Sequence, residues 1–156
     1  MTVDNVVTIL VRLGLAVVVG GLIGLNRDLH HKPAGVRTHA LVSLGTALMV
    51  IAILPPGGEL VERIDALSRV IQGVLTGIGF LGAGVILHDA GRVRGLTTAA
   101  TVWLTALIGV ACGAGQYVAV AIACVFAALA VQFGGGIERA FRRRFPDVPD
   151  DGSPPP

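Results

Sequence analysis

Aromatic and charged residues are scarce in this 156-residue chain: 4% are Phe, Trp or Tyr and 14% are Asp, Glu, Lys or Arg. A soluble domain of this size carries roughly 25% charge, so a water-soluble globular core is excluded as the main reading. Cysteine is equally thin. Cys112 and Cys124 both lie inside apolar runs without metal-ligand spacing, and they read as small buried hydrophobes rather than a disulfide or a zinc pair. Neither a nucleophile–base pair nor a metal set is visible, so the chain reads as no enzyme, with no cofactor and no nucleic-acid partner.

What is abundant is apolar surface and glycine: 53% of residues are hydrophobic and 22 are glycine. The stretch 69–106 reads as two apolar helices joined by a short basic hairpin, with glycine at 73, 77, 79, 82 and 84 in the first. In a soluble helix each glycine costs about 1 kcal/mol against alanine. In a membrane the helix cannot unravel cheaply, because hydrocarbon offers no partner to freed backbone groups. Glycine then becomes a means of bringing backbones into contact. The chain therefore reads as an all-α integral membrane protein, with this glycine-rich helix as its crowded centre.

Five apolar runs reach the 17 to 25 residues, roughly, that a bilayer crossing needs. They fall near 6–25, 38–54, 70–87, 96–112 and 116–133, within a membrane domain covering 1–136. The first run is followed by a basic loop rather than a cleavage site, so it is retained as a helix. Three glycines at 134–136 suggest a hinge-like break. Beyond them, 137–145 reads as a basic amphipathic segment on the inner leaflet and 146–156 as a disordered, acidic, proline-rich tail. Nine basic residues (Arg27, Lys32, Arg37, Arg92, Arg94, Arg139, Arg142, Arg143, Arg144) lie on one side, against Arg63 and Arg69 on the other. The positive-inside rule puts the nine in the cytoplasm, with the N-terminus outside and the C-terminus inside. Helices 1–2 and 3–4 also echo each other: GGLIGL and GFLGAGVIL each lead into a basic hairpin, AGVRTH and AGRVRGLTT. Either a parallel repeat or convergence on turn and capping residues accounts for that.

Intramembrane polar groups each call for a reason, since a central charge costs about 2.5 to 3.5 kcal/mol on insertion scales. Arg12 either snorkels to the outer headgroups or pairs with Asp65 or Glu62 at the mouth of helix 3. Arg69, Gln72 and Thr76 fall at i, i+3 and i+7, one stripe that faces other helices and lines either a pathway or a contact. Arg37, Thr38 and His39 start helix 2, and Arg94, Thr97 and Thr98 start helix 4. With Arg27 nearby, these two positive helix ends form either a bowl for an anionic ligand or no more than capping and orientation signals. His30 and His31 read as solvated; His39 and His88, at helix ends, could respond to protons. Small faces on helix 1 (Gly14, Gly20, Gly24) and helix 4 (Ala106, Gly109, Gly113) suit association with a second copy or a partner.

Three segments also carry a family resemblance: GGLIGLNRDLHHKPAGVRTHALVSLG (20–45), GIGFLGAGVIL (77–87) and VRGLTTAATVWLTA (93–106). The chain up to about residue 133 resembles the MgtC/SapB family of small bacterial inner-membrane proteins. The resemblance implies a five-helix membrane domain and links to magnesium-limited growth, survival inside host cells (virulence) and restraint of the F-type ATP synthase. Some members are named as magnesium-transport ATPase subunits, yet neither a GxxxxGK[ST] loop nor an aspartyl-phosphate motif occurs in this chain. Two departures stand out. Asn26 takes a place that is usually acidic, and 146–156 leaves no room for the ACT-like soluble domain of the family. The resemblance also ties a polar residue at the position of Thr97 to function. Two readings follow: a regulatory subunit docked on a membrane complex such as the ATP synthase, or a small ion or solute transporter or channel related to magnesium or phosphate.

Overall fold

The computed structural model of the chain describes residues 2–58, 61–89 and 92–144, with the backbone alone for 62, 87–89, 92 and 137–143. The described residues form five helices, each long and apolar enough to span a membrane: α1 (Val3–Leu29), α2 (Val36–Ile53), α3 (Ile64–Val85), α4 (Leu96–Gly113) and α5 (Tyr117–Arg144). A 3₁₀ turn, Val61–Arg63, leads into α3, and a two-stranded antiparallel hairpin, β1 (Leu87–Asp89) with β2 (Arg92–Arg94), joins α3 to α4.

The boundaries follow from local chemistry. α1 continues past its apolar run through Asn26, Arg27 and Asp28, with basic Arg27 in the last turn, where the negative end of the dipole favours it. α2 stops just before Pro55, since the residue preceding proline is held out of the helical region. The third span ends two residues sooner than predicted because Leu87 leaves the helix to pair with Arg94 across the hairpin. Gly95 then turns the chain into α4 at φ +92, where a side chain would run into the Val85 carbonyl; only glycine combines that backbone with that proximity.

The chain divides into two compact units, Met1–Val120 and the part from Ala121 onward. In the second, α5 stays helical through Gly134, Gly135 and Gly136 as far as Arg144, so the predicted hinge is absent. Unpaired backbone in hydrocarbon costs more than three glycines lose in propensity. The predicted tail at 146–156, and the side chains of the predicted amphipathic segment before Arg144, lie outside the described residues.

Within Met1–Val120, α2 is the central helix, lying against both α1 and α4, while α3 packs mainly on α4. This overturns the expectation that α3 is the crowded one. A Cβ added at Gly73, Gly77, Gly79 or Gly84 would meet nothing within 4 Å, and at Gly82 only the Ala99 methyl at 3.6 Å. Gly14 is equally open. The crowded glycines are on α1 and α4. A Cβ at Gly20 would sit 2.6 Å from the His39 carbonyl oxygen, at Gly24 2.6 Å from that of Gly35, and at Gly113 2.6 Å from that of Ala47. Gly109 is pressed against Ser43 and Thr46. These faces are spent inside the chain rather than left for a partner. In one apolar cluster Val74 and Ile78 of α3 meet Val102 and Ala106 of α4, and Ala16, Ala47, Val50, Ile51, Ile108 and Cys112 are buried elsewhere among α1, α2 and α4. Lipid tails are as apolar as leucine, so close backbone packing and polar contacts carry more of the cohesion than burial does.

Candidate functional site

The tight α1–α2–α4 contact encloses polar side chains beside small apolar ones such as Ala16, Ala47, Val50 and Cys112. His39, Ser43 and Thr46 lie on one face of α2 and Thr98, Thr101 and Thr105 on one face of α4, spaced by three and four residues so that each set stacks along its helix. All six are buried. Arg27 joins them from the last turn of α1: it is 4% exposed, and its guanidinium donates to the hydroxyl of Thr98, itself 2% exposed. Among the described residues Arg27 has this one hydrogen bond, and no carboxylate pairs with it.

Most hydroxyls turn back onto their own helices. Thr46 donates to the Val42 and Ser43 carbonyls at 3.1 Å, Thr101 to Thr98 at 2.9 Å and Thr105 to Thr101 at 2.8 Å. The His39 ring uses Nδ1 on the Gly35 carbonyl at 3.0 Å. That leaves His39 Nε2, Ser43 Oγ, Arg27 Nε and Arg12 Nε buried without a partner among the described residues. A buried polar group without a partner costs about 1–3 kcal/mol, which sets these atoms apart as the seam's candidate positions for a polar ligand.

Both ends of the seam are tied by charged groups. At one end the Asp28 carboxylate accepts the Val36 N–H at 3.0 Å, placing a negative group at the positive end of α2. At the other, Arg12 donates to the Gly113 carbonyl at 2.8 Å and rests over the turn at Gly115, while Arg63 donates to the Ile53 carbonyl at 2.7 Å. The last carbonyls of α4 and α2, which have no partner within their own helices, thus each receive a guanidinium. Arg12 pairs with a helix end instead of Asp65; the Glu62 side chain is outside the described residues.

The remaining sequence-predicted residues are not gathered. Asn26, Arg37, Thr38, Arg94 and Thr97 are exposed, and Arg37 and Arg94 make no polar contact with the described residues. The Asp28 carboxylate already stands at the end of α2 that the anion bowl was to use. His30 and His31 are exposed; the His88 side chain is not among those described. Asp65, Arg69, Gln72 and Thr76 are exposed too, so the stripe faces away from the bundle rather than into it. Thr76 satisfies itself on the Gln72 carbonyl at 2.9 Å. Sequence reasoning missed Asp28, Ser43, Thr46, Thr101 and Thr105. The three- and four-residue spacing of hydroxyls inside apolar spans was the signal available for all but Asp28. Among the described residues no three His, Cys, Asp or Glu side chains gather as a metal ion requires.

Comparison with known proteins adds sequence likeness to this geometry. A family model described as the MgtC family matches residues 13–144. Protein SrpB of Synechococcus elongatus is 50% identical over 115 residues, 68% of this chain and 63% of that protein. Protein MgtC of Brucella abortus is 45% identical over 111 residues, 71% of this chain and 44% of its own. Protein MgtC of Salmonella typhimurium is 43% identical over 102 residues, 65% and 42% respectively. The chain thus spans about half the length of the curated relatives it matches. No solved structure matches it.

Proposed function

This chain belongs to the MgtC family of multi-pass bacterial inner-membrane proteins, and from that premise we propose that it is a regulatory subunit that moves no solute itself. It docks on a larger membrane complex when magnesium is limiting, and it contributes in that way to survival inside a host. The F-type ATP synthase is the complex the family resemblance suggests. The basic loops face the cytoplasm in this reading, where the exposed Arg37 and Arg94 are free to attract an anionic group.

One observation carries the choice of regulator over transporter. The polar groups that a pathway would need lie between helices in backbone contact, with Gly20, Gly24, Gly109 and Gly113 leaving no gap. Opening a route along Ser43 and Thr101 would part those contacts and the Arg27–Thr98 hydrogen bond together. A second reading, a small transporter or channel for magnesium or phosphate, draws on the unpartnered His39 Nε2 and Ser43 Oγ. Purified protein in proteoliposomes separates the two. The regulator gives no protein-dependent magnesium or phosphate flux, and gentle solubilisation of cells recovers it with a larger complex. Saturable flux that is lost in Ser43→Ala would overturn the proposal.

A further inference from the structure

The outward face of α3 has a regularity that the bundle does not use. Asp65, Arg69, Gln72, Thr76, Gly79 and Ala83 follow one another at intervals of four, three, four, three and four residues. All six are exposed. That alternation is the seam of a left-handed helix pair, whose contacts recur every 3.5 residues. It lies on the side of α3 opposite Val70, Val74 and Ile78, the residues turned to the bundle.

Such a face is a poor one to present to lipid. The Gln72 side-chain amide has no hydrogen-bond partner among the described residues, and it lies two turns inside a helix apolar enough to span a membrane. Arg69 lies more than a turn inside. A polar side chain held in hydrocarbon is paired with another or faces a protein interior. The seam is also self-complementary. Asp65 and Arg69 are one turn apart with opposite charge, so two parallel copies related by a two-fold axis bring each Arg69 within reach of the other copy's Asp65. The paired Gln72 amides then face each other, as a buried polar layer does in a coiled coil. Below them Gly79 and Ala83, four residues apart, are the small pair that lets two backbones approach. Gly79, Ala83 and Ile86 also border an open apolar groove of about 340 Å³ between α3 and α4, walled on its far side by Trp103.

We propose that α3 is the homodimer interface of this protein, taking the α3 of a second, parallel copy along the Asp65–Ala83 seam, with reciprocal Asp65–Arg69 pairs at one end and Gly79–Ala83 contact at the other. This goes beyond the regulatory reading and stands independently of it. The seam orders the stripe that the bundle leaves outside, and it gives α3's low hydropathy a purpose.

Cysteine cross-linking in native membranes tests it, in a background carrying Cys112→Ala and Cys124→Ala. Single cysteines at Gln72, Thr76, Gly79 and Ala83 give a disulfide-linked dimer at least tenfold more readily than cysteines at Gly77 and Leu81, exposed positions on other faces of α3. With cysteine at Thr76, Asp65→Arg or Arg69→Asp alone lowers the yield at least fivefold, and the exchange of both restores it. Gly79→Leu, which adds no charge and favours insertion, abolishes the dimer while the chain stays resistant to alkaline extraction. Equal yields around the helix, maxima at Gly77 or Leu81, no restoration by the exchange, or linkage to a different membrane protein each overturn the proposal.

Discussion

Arg27 carries five N–H donors on a planar fork, and the seam gives it Thr98 as its side-chain acceptor. Thr98→Ala therefore lowers stability by about 1.5–3 kcal/mol, the range for hydrogen bonds to charged groups, and Thr98→Ser recovers most of it. The exposed neighbour Thr97→Ala stays within roughly 0.5 kcal/mol, as surface changes do. Unfolding midpoints in detergent, read for the three variants side by side, check both statements. Arg12→Met, which keeps the stem and removes the donor to Gly113, costs about 1.5–3 kcal/mol by the same reasoning, whereas Arg12→Lys retains the charge but loses the fork and falls between. The sequence singled out Arg12 as a charge inside an apolar run, and Arg27, His39 and Thr98 as polar groups gathered at helix ends. It did not reveal their partners. The acceptor for Arg27 is 71 positions away and that for Arg12 is a main-chain carbonyl 101 away, and every residue owns such a carbonyl. Asp28 was missed for a related reason: its role is set by how the turn folds back on Val36, and composition carries no trace of that.

At the level of elements, five spans and the hairpin were legible because apolar length and turn residues are local properties. Which helix sits in the middle was not. Glycine count pointed to α3, but a glycine is useful only where another backbone arrives, and arrival is decided by the facing helix. A pair of substitution sets exposes the difference. Gly20→Ala and Gly113→Ala push a methyl group into a carbonyl oxygen, and overpacking of this kind costs about 1–3 kcal/mol. Gly73→Ala, Gly77→Ala and Gly84→Ala meet open space, so the helix gains up to about 1 kcal/mol of propensity in each case. Opposite signs in the detergent melting temperatures of the two sets are the expected result, and equal losses in both would return α3 to the centre.

For the whole molecule the decisive quantity is orientation across the bilayer. The positive-inside reading of the sequence, nine basic residues against two, predicts that single cysteines replacing Asp4 and Gly58 react with an impermeant thiol reagent in intact cells, and that those replacing His31 and Lys32 react only after lysis; the reverse pattern contradicts the assignment. The long-range arginine contacts also govern how the protein comes into being. Ribosomes add about 5–20 residues per second, so Arg12 waits some 5–20 s for Gly113 to emerge, and Arg27 waits for Thr98 nearly as long. Throughout that interval the first helix holds two guanidinium groups whose acceptors do not yet exist. Nascent chains halted before residue 96 should therefore keep α1 in contact with the insertion machinery, and chains carried past residue 113 should release it. Biogenesis becomes a matter of timing: the fourth helix, on arrival, dismisses the escort of the first.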